Sequence, residues 1–237
     1  MTRRYVADVA PARWLQEALH PFAQDVGSLV PEGFAAYARV LHAARLARPD
    51  GEREVRWREI ARANRRVFHP LMQFGNIAGT WRAEDPHTSN WSSPPRPATL
   101  SITDARALSR ILGAHTTSSR CWFAIWEGWG CVGRSVGAKL QLPSRAYYLA
   151  EGTIEDAART VCEDNFWYQS PSIWWPEDRA WLVATEVDLD STYVGGAAAA
   201  IDALVADPAI EVVPARISDG ISAATDTINP APARPYR

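Results

Sequence analysis

Along the first third of the chain, apolar positions recur at helical spacing. Pro11 suits a first helical turn, and Trp14, Leu15 and Leu19 follow on one stripe. Pro31 repeats the device, with Phe34, Tyr37, Leu41 and Ala44 three or four residues apart until Pro49-Asp50-Gly51 breaks the pattern. A third helix is predicted over Glu54 to Arg66, burying Trp57, Ile60, Ala61 and Asn64 while Arg58, Arg62, Arg65 and Arg66 form a basic stripe. Periodicity is lost over residues 82–99, which carry four prolines and predict a loop or linker. Thr103 then suits an N-cap for a helix with Leu108, Ile111, Leu112 and His115 on one face.

Strand patterns dominate the remainder. Cys121 to Glu127 is rich in aromatic and branched residues and ends in Gly128-Trp129-Gly130, as a central strand does. Residues 138–142 and 146–150 flank a Pro143-Ser144-Arg145 turn and predict a hairpin, with a short helix near Ile154 to Val161 after it. Ala180 to Asp190 alternates strictly, which predicts one strand with Glu186, Asp188 and Asp190 on a single face. Gly195-Gly196 leads into a helix from Ala197 to Val205, and Ile210 to Ile217 returns as a last strand. The expectation is an α+β fold. An N-terminal helical region (1–81) packs with a C-terminal, mostly antiparallel sheet region (100–217), joined by the loop 82–99. The tail, 218–237, is expected to be disordered or draped over the surface.

Composition narrows the class. The 237 residues are 47% hydrophobic and 22% charged, with no apolar run of membrane-spanning length and no secretory pattern after Arg3-Arg4, so a soluble cytoplasmic protein is expected. Cys121, Cys131 and Cys162 have no metal-knuckle spacing, and free buried thiols are expected. The net charge of -2 hides an asymmetry: 12 Arg against 8 acidic residues in 1–80, and 3 Arg against 13 acidic residues in 150–217. Two regions facing each other across one molecule account for this better than a nucleic-acid surface, because the basic excess is small.

The runs QSPSIWWPEDRAW (169–181) and ATEVDLDSTYVGG (184–196), with VPEGFAAYAR (30–39), WREIA (57–61) and CWFAIWEG (121–128), resemble an uncharacterised family of actinobacterial proteins. That resemblance covers most of the chain and implies no activity. The order of strand, hairpin, acidic strand and helix is also similar to the SUKH superfamily of cytosolic immunity proteins, which implies binding to another protein.

Two clusters stand out as candidate chemistry. Three carboxylates at alternate strand positions, Glu186, Asp188 and Asp190, could hold Mg²⁺ or Ca²⁺, or could serve as a charged sheet face or as partners for the arginines of the first third. Trp174 and Trp175 beside Asp178 and Arg179 could form a stacking platform, against which stands the expectation that most of eleven tryptophans are core. His69 and His115 suit structural roles, and Gly195-Gly196 lacks the rest of a phosphate-loop pattern. No cofactor is implied. The functional expectation is a non-catalytic, immunity-like interaction protein whose acidic face binds a basic protein partner. The alternative is an enzyme with a Trp-rich pocket between helical cap and sheet, and possible divalent-metal dependence.

Overall fold

A computed structural model describes residues 3–22, 25–80, 90–132, 137–143, 145–163 and 167–232. Among them the fold is α+β, as the pattern predicts. The strands are β1 (Arg4–Tyr5), β2 (Ala36–Leu41), β3 (Ala44–Arg48), β4 (Gly51–Val55), β5 (Cys121–Trp126), β6 (Lys139–Gln141), β7 (Ala146–Gly152), β8 (Ile173–Pro176), β9 (Trp181–Thr185), β10 (Ser191–Gly196) and β11 (Val212–Ala215). The α-helices are α1 (Arg13–Ala18), α2 (Trp57–Ala63), α3 (Phe74–Ala78), α4 (Ile102–Gly113) and α5 (Ala198–Ala206). One antiparallel sheet runs β1-β7-β5-β8-β9-β10-β2-β11 with β6 beside β7, and β3 and β4 form a separate hairpin.

The sheet is covered on both faces, so its inner strands are apolar throughout and not alternating. Trp174 and Trp175 illustrate this. Successive strand residues point to opposite faces, and both indoles are almost wholly buried. Trp174 joins Phe123, Trp181, Val183 and Val194 under α4 and α5, whose Leu108, Leu112, Ile201 and Leu204 close that face. Trp175 joins Trp122, Leu149, Leu182 and Tyr193 under α1 and residues 26–30, through Leu15, Val26, Leu29 and Val30. A third cluster fills the end of the sheet at β2 and β11. There Trp57, Ile60, Met72, Phe74, Ile77 and Trp91 pack with Leu41 and Val213.

Several predicted elements are where the pattern puts them, including α1, α2, β5, the β6–β7 hairpin and α5. Three readings need correction. Residues 31–48 are not a helix: Ala36–Leu41 is β2, hydrogen-bonded between β10 and β11, and Ala44–Arg48 is β3. Pairing with partners 150 and more residues away overrides a spacing that fits a helix equally well. Ala180 to Asp190 is not one strand either, because β9 ends at Thr185 and the chain turns back into β10 at Ser191. Finally, α4 starts one turn's edge earlier than expected: Ser101, not Thr103, is the N-cap, its Oγ accepting from Asp104 N–H at 3.0 Å.

Residues 218–232 follow the surface and are pinned to it. Asp226 accepts from His69 Nε2 at 2.9 Å and from the Gln73 amide at 3.1 Å, and Asn229 exchanges two hydrogen bonds with the Val67 backbone. Among the described residues, no helix is long and apolar enough to cross a membrane.

Candidate functional site

The carboxylates expected on one strand face are matched by arginines. Arg145 Nε donates to Glu186 Oε1 at 2.6 Å and its NH2 to Asp188 Oδ2 at 2.7 Å, with the guanidinium packed against the rings of Trp126 and Phe22. Asp190 faces Arg39 at 3.9 Å, and burial raises its pKa against that attraction. Arg145 bridges Glu186 and Asp188 while Asp190 faces Arg39 instead, and among the described residues no three His, Cys, Asp or Glu groups are placed to hold a metal ion. The charge asymmetry is met internally in part, through Arg4–Glu151, Arg39–Asp190 and Arg58–Glu211. Glu211 also accepts from the Trp57 and Arg58 amides at 2.6 and 3.1 Å.

The tryptophan platform is also corrected: Trp174 and Trp175 are core and present no face to solvent. Asp178 and Arg179 belong to the β8–β9 turn. Arg179 takes a left-handed backbone, φ +55°, and lies over the Trp14 ring at 5.0 Å. Burial alone would raise the pKa of Asp178. Hydrogen bonds from the Thr117 amide, the Thr116 hydroxyl and the Ala180 amide hold it below the usual range instead. The thiol expectation fails for two of the three cysteines, because Cys131 and Cys162 form a disulfide; Cys121 is free and buried.

A different place gathers polar chemistry. A cleft of about 330 Å³ opens between the β3–β4 hairpin and the start of α4, lined by His42, Arg45, Glu54, Arg96, Thr99 and Ser101 to Asp104, with Tyr168 on one side. Its floor is buried and its mouth exposed: His42, Thr99 and Asp104 are buried, whereas Arg45, Glu54 and Arg96 reach solvent. Each wall has a local cause. Ser101 caps the twelve-residue helix α4, and residues 101–104 at its amino-terminal end, where partial positive charge gathers, line the recess. Arg96 is braced by donating to the Tyr168 carbonyl at 3.1 Å and by lying over the Trp167 ring at 5.7 Å.

Two floor groups have displaced pKa values. Burial lowers His42 to about 4, so it is neutral, and its partners fix the tautomer. Nδ1 lies 2.9 Å from the Arg96 carbonyl, which can only accept, so Nδ1 carries the proton and Nε2 accepts from the Thr192 hydroxyl at 2.9 Å. Thr185 supplies the next hydroxyl, 2.7 Å from that of Thr192. Burial raises Asp104 to about 6, against a hydrogen bond from Ser101 Oγ at 2.8 Å. The cleft therefore holds a carboxyl that changes charge near neutral pH beside an imidazole that does not.

Other recesses have less to offer. The groove of about 450 Å³ between α4 and residues 154–158 is lined by Arg106, Arg110 and Arg159, with Arg110 tied to Asp207 at 2.6 Å and Arg159 to Asp156 at 3.3 Å. In the cleft, Arg45 meets Glu52 at 3.4 Å and Arg96, among the described residues, hydrogen-bonds only a backbone carbonyl. The apolar notch beside Leu19, Phe22 and Tyr147 encloses about 20 Å³, too little for a ligand. Sequence reasoning missed the cleft because its residues come from four separated segments, 42–45, 54, 96–104 and 168. The Ser101-x-x-Asp104 capping pattern was the one local signal. No protein-family model, curated protein or solved structure matches this chain.

Proposed function

We propose that this chain is a binding protein that takes a small anionic molecule into the cleft at the start of α4. One observation carries the reading: Arg45 and Arg96 line a single recess with the amino-terminal turn of a twelve-residue helix. Guanidinium groups and first-turn amides are the two protein features that best match an oxyanion. Glu54 and Asp104 keep the recess from being uniformly cationic, which suits a ligand carrying a hydrogen-bond donor beside its anionic group. The non-catalytic binding role expected from the sequence is kept. Its surface moves from the strand carboxylates, which Arg145 and Arg39 already neutralise, to this cleft.

A cytosolic location is part of the proposal. It makes the Cys131–Cys162 bond an exchangeable one, because cytosolic reductants keep ordinary thiols reduced.

The test is a thermal-shift series at low ionic strength with inorganic phosphate, sulfate, citrate and benzoate against chloride. At least one oxyanion should raise Tm, and Arg96→Ala and Arg45→Ala should each remove most of that rise. If no oxyanion shifts Tm, or if the shift survives both substitutions, the reading is wrong.

A further inference from the structure

The Cys131–Cys162 disulfide joins the turn after β5 to a turn that hydrogen-bonds residues 167–169, next to Tyr168 of the cleft lining. Cys162 belongs to a turn that is knitted to residues 167–169. Thr160 Oγ1 accepts from the Cys162 and Gln169 amides at 3.1 Å each and donates to the Trp167 carbonyl at 3.1 Å, while the Val161 amide donates to the Gln169 carbonyl at 2.8 Å. Across the disulfide, the Glu163 amide donates to the Cys131 carbonyl at 3.2 Å. The turn after the 3₁₀ helix Ile154–Ala158 is thereby fastened to the turn after β5.

From this knot the contacts run directly to the cleft. Gln169 is buried; its Nε2 donates to the Ala98 carbonyl at 2.8 Å and its Oε1 accepts from the Thr99 hydroxyl at 2.7 Å. Ser170 Oγ accepts from the Leu100 amide at 3.0 Å, and the Tyr168 carbonyl accepts from Arg96. Ala98 has φ +65°, a left-handed backbone that disfavours any residue with a Cβ and persists only where its surroundings hold it. Gln169 on one side and the Leu189 carbonyl on the other, 2.9 Å from the Ala98 amide, are what hold it. The segment from Arg96 to Ser101, which places Arg96, Thr99 and the α4 N-cap, is therefore braced by residues 168–170, which are hydrogen-bonded in turn to the turn that carries Cys162.

We propose that the Cys131–Cys162 disulfide is a redox modification site that controls the cleft, and that a dithiol reductant is its reaction partner. The proposal rests on the cleft being the binding site. Cys131 is the more exposed of the pair, so the reductant thiolate attacks its Sγ and Cys162 leaves as the thiolate. The reductant's second thiol then attacks its own sulfur in the mixed disulfide and releases Cys131. Two electrons and two protons pass to the protein, which ends with two thiols, and the reductant ends as a disulfide. Reduction frees the turn at 160–163, loosens Gln169 and lets Ala98 relax, so Arg96 and Thr99 leave their places. Cys121 does not reshuffle with the pair, because it is buried in the core with its thiol donating to the Trp175 carbonyl at 3.2 Å, and burial pushes that thiol's pKa well above the usual range.

Hydrogen–deuterium exchange on the full chain tests this without any ligand. Oxidised and dithiothreitol-reduced protein are compared at labelling times short enough that β9 amides stay protected in the oxidised form. The expected result is that amides of 98–104 and 167–170 exchange about tenfold faster or more after reduction while Trp181–Thr185 stays protected. Unchanged exchange at 98–104, or loss of protection at β9 on the same timescale, overturns the proposal. The Cys131→Ser/Cys162→Ser double variant should behave as the reduced protein under oxidising conditions. Inorganic phosphate binding, measured on both forms, separates the two claims. Weaker binding on reduction supports the switch, equal binding contradicts it, and no binding to the oxidised form counts against the cleft reading while leaving the exchange result to decide the coupling.

Discussion

His42 Nε2 accepts the hydroxyl proton of Thr192 at 2.9 Å, and that one contact ties the floor of the cleft to the centre of the sheet. A neutral imidazole is required there, and burial holds its pKa at about 4. A depressed folded pKa gives stability that is present above the unfolded value of 6.5 and is lost as pH falls through 4. Wild-type protein should therefore lose about 3 kcal/mol across that window relative to His42→Asn, whose amide still donates to the Arg96 carbonyl but has no proton to gain. Urea unfolding at pH 7.5, 5.5 and 4 measures the gap. A gap independent of pH would show that the imidazole is not protected from protonation.

Asp104 has the opposite sign. Its folded pKa is raised to about 6 from 3.8, so the stability it contributes is complete below 3.8 and is lost as pH rises through 6. Asp104→Asn keeps an acceptor for Ser101 Oγ and removes the buried charge. The variant should match wild type near pH 3.5 and exceed it by about 2 to 3 kcal/mol at pH 7.5. Equal stability at both pH values would mean that Asp104 ionises as a surface carboxylate does.

Arg145 should be needed for Glu186. With Glu186 buried and its Oε1 held by Arg145 Nε, Arg145→Met leaves an uncompensated carboxylate and should cost about 3 kcal/mol at neutral pH, part of which Glu186→Gln restores in the double variant. Because the guanidinium already occupies the space between Glu186 and Asp188, millimolar Mg²⁺, Ca²⁺ or Mn²⁺ should leave the wild-type Tm unchanged against an EDTA control. A rise of several degrees would restore the metal reading.

The elements readable from sequence are those whose local pattern and tertiary setting agree. The β6–β7 hairpin has its Pro143 turn between two apolar runs, and α2 buries Trp57, Ile60 and Ala61 as its periodicity demands. β2 was unreadable for a physical reason. Its Arg39 is buried in a strand, satisfied by Ser191 Oγ at 2.9 Å and the Met72 carbonyl at 2.8 Å, and neither partner is visible from its neighbours in sequence. The disulfide is hidden in the same way, because Cys131 and Cys162 are 31 residues apart and meet only when the turns after β5 and after the 3₁₀ helix Ile154–Ala158 are folded. The cleft is the extreme case: the β3–β4 hairpin with Arg45 opposite Glu54, the segment from Arg96 to Asp104, and Tyr168 meet there only through long-range packing.

The most direct measurement is a ¹H–¹⁵N NMR titration of the oxidised protein with the oxyanion that gives the largest thermal shift. The account predicts that the largest amide shifts fall on Ser101 to Asp104, with further shifts at Arg96 to Thr99. It also predicts that the Asp104 carboxyl, followed by its side-chain ¹³C signal, titrates at a higher pH with the anion bound than without it, because a neighbouring negative charge disfavours its ionised form. Largest shifts at Arg106, Arg110 and Arg159, with the Asp104 midpoint unmoved, would contradict it.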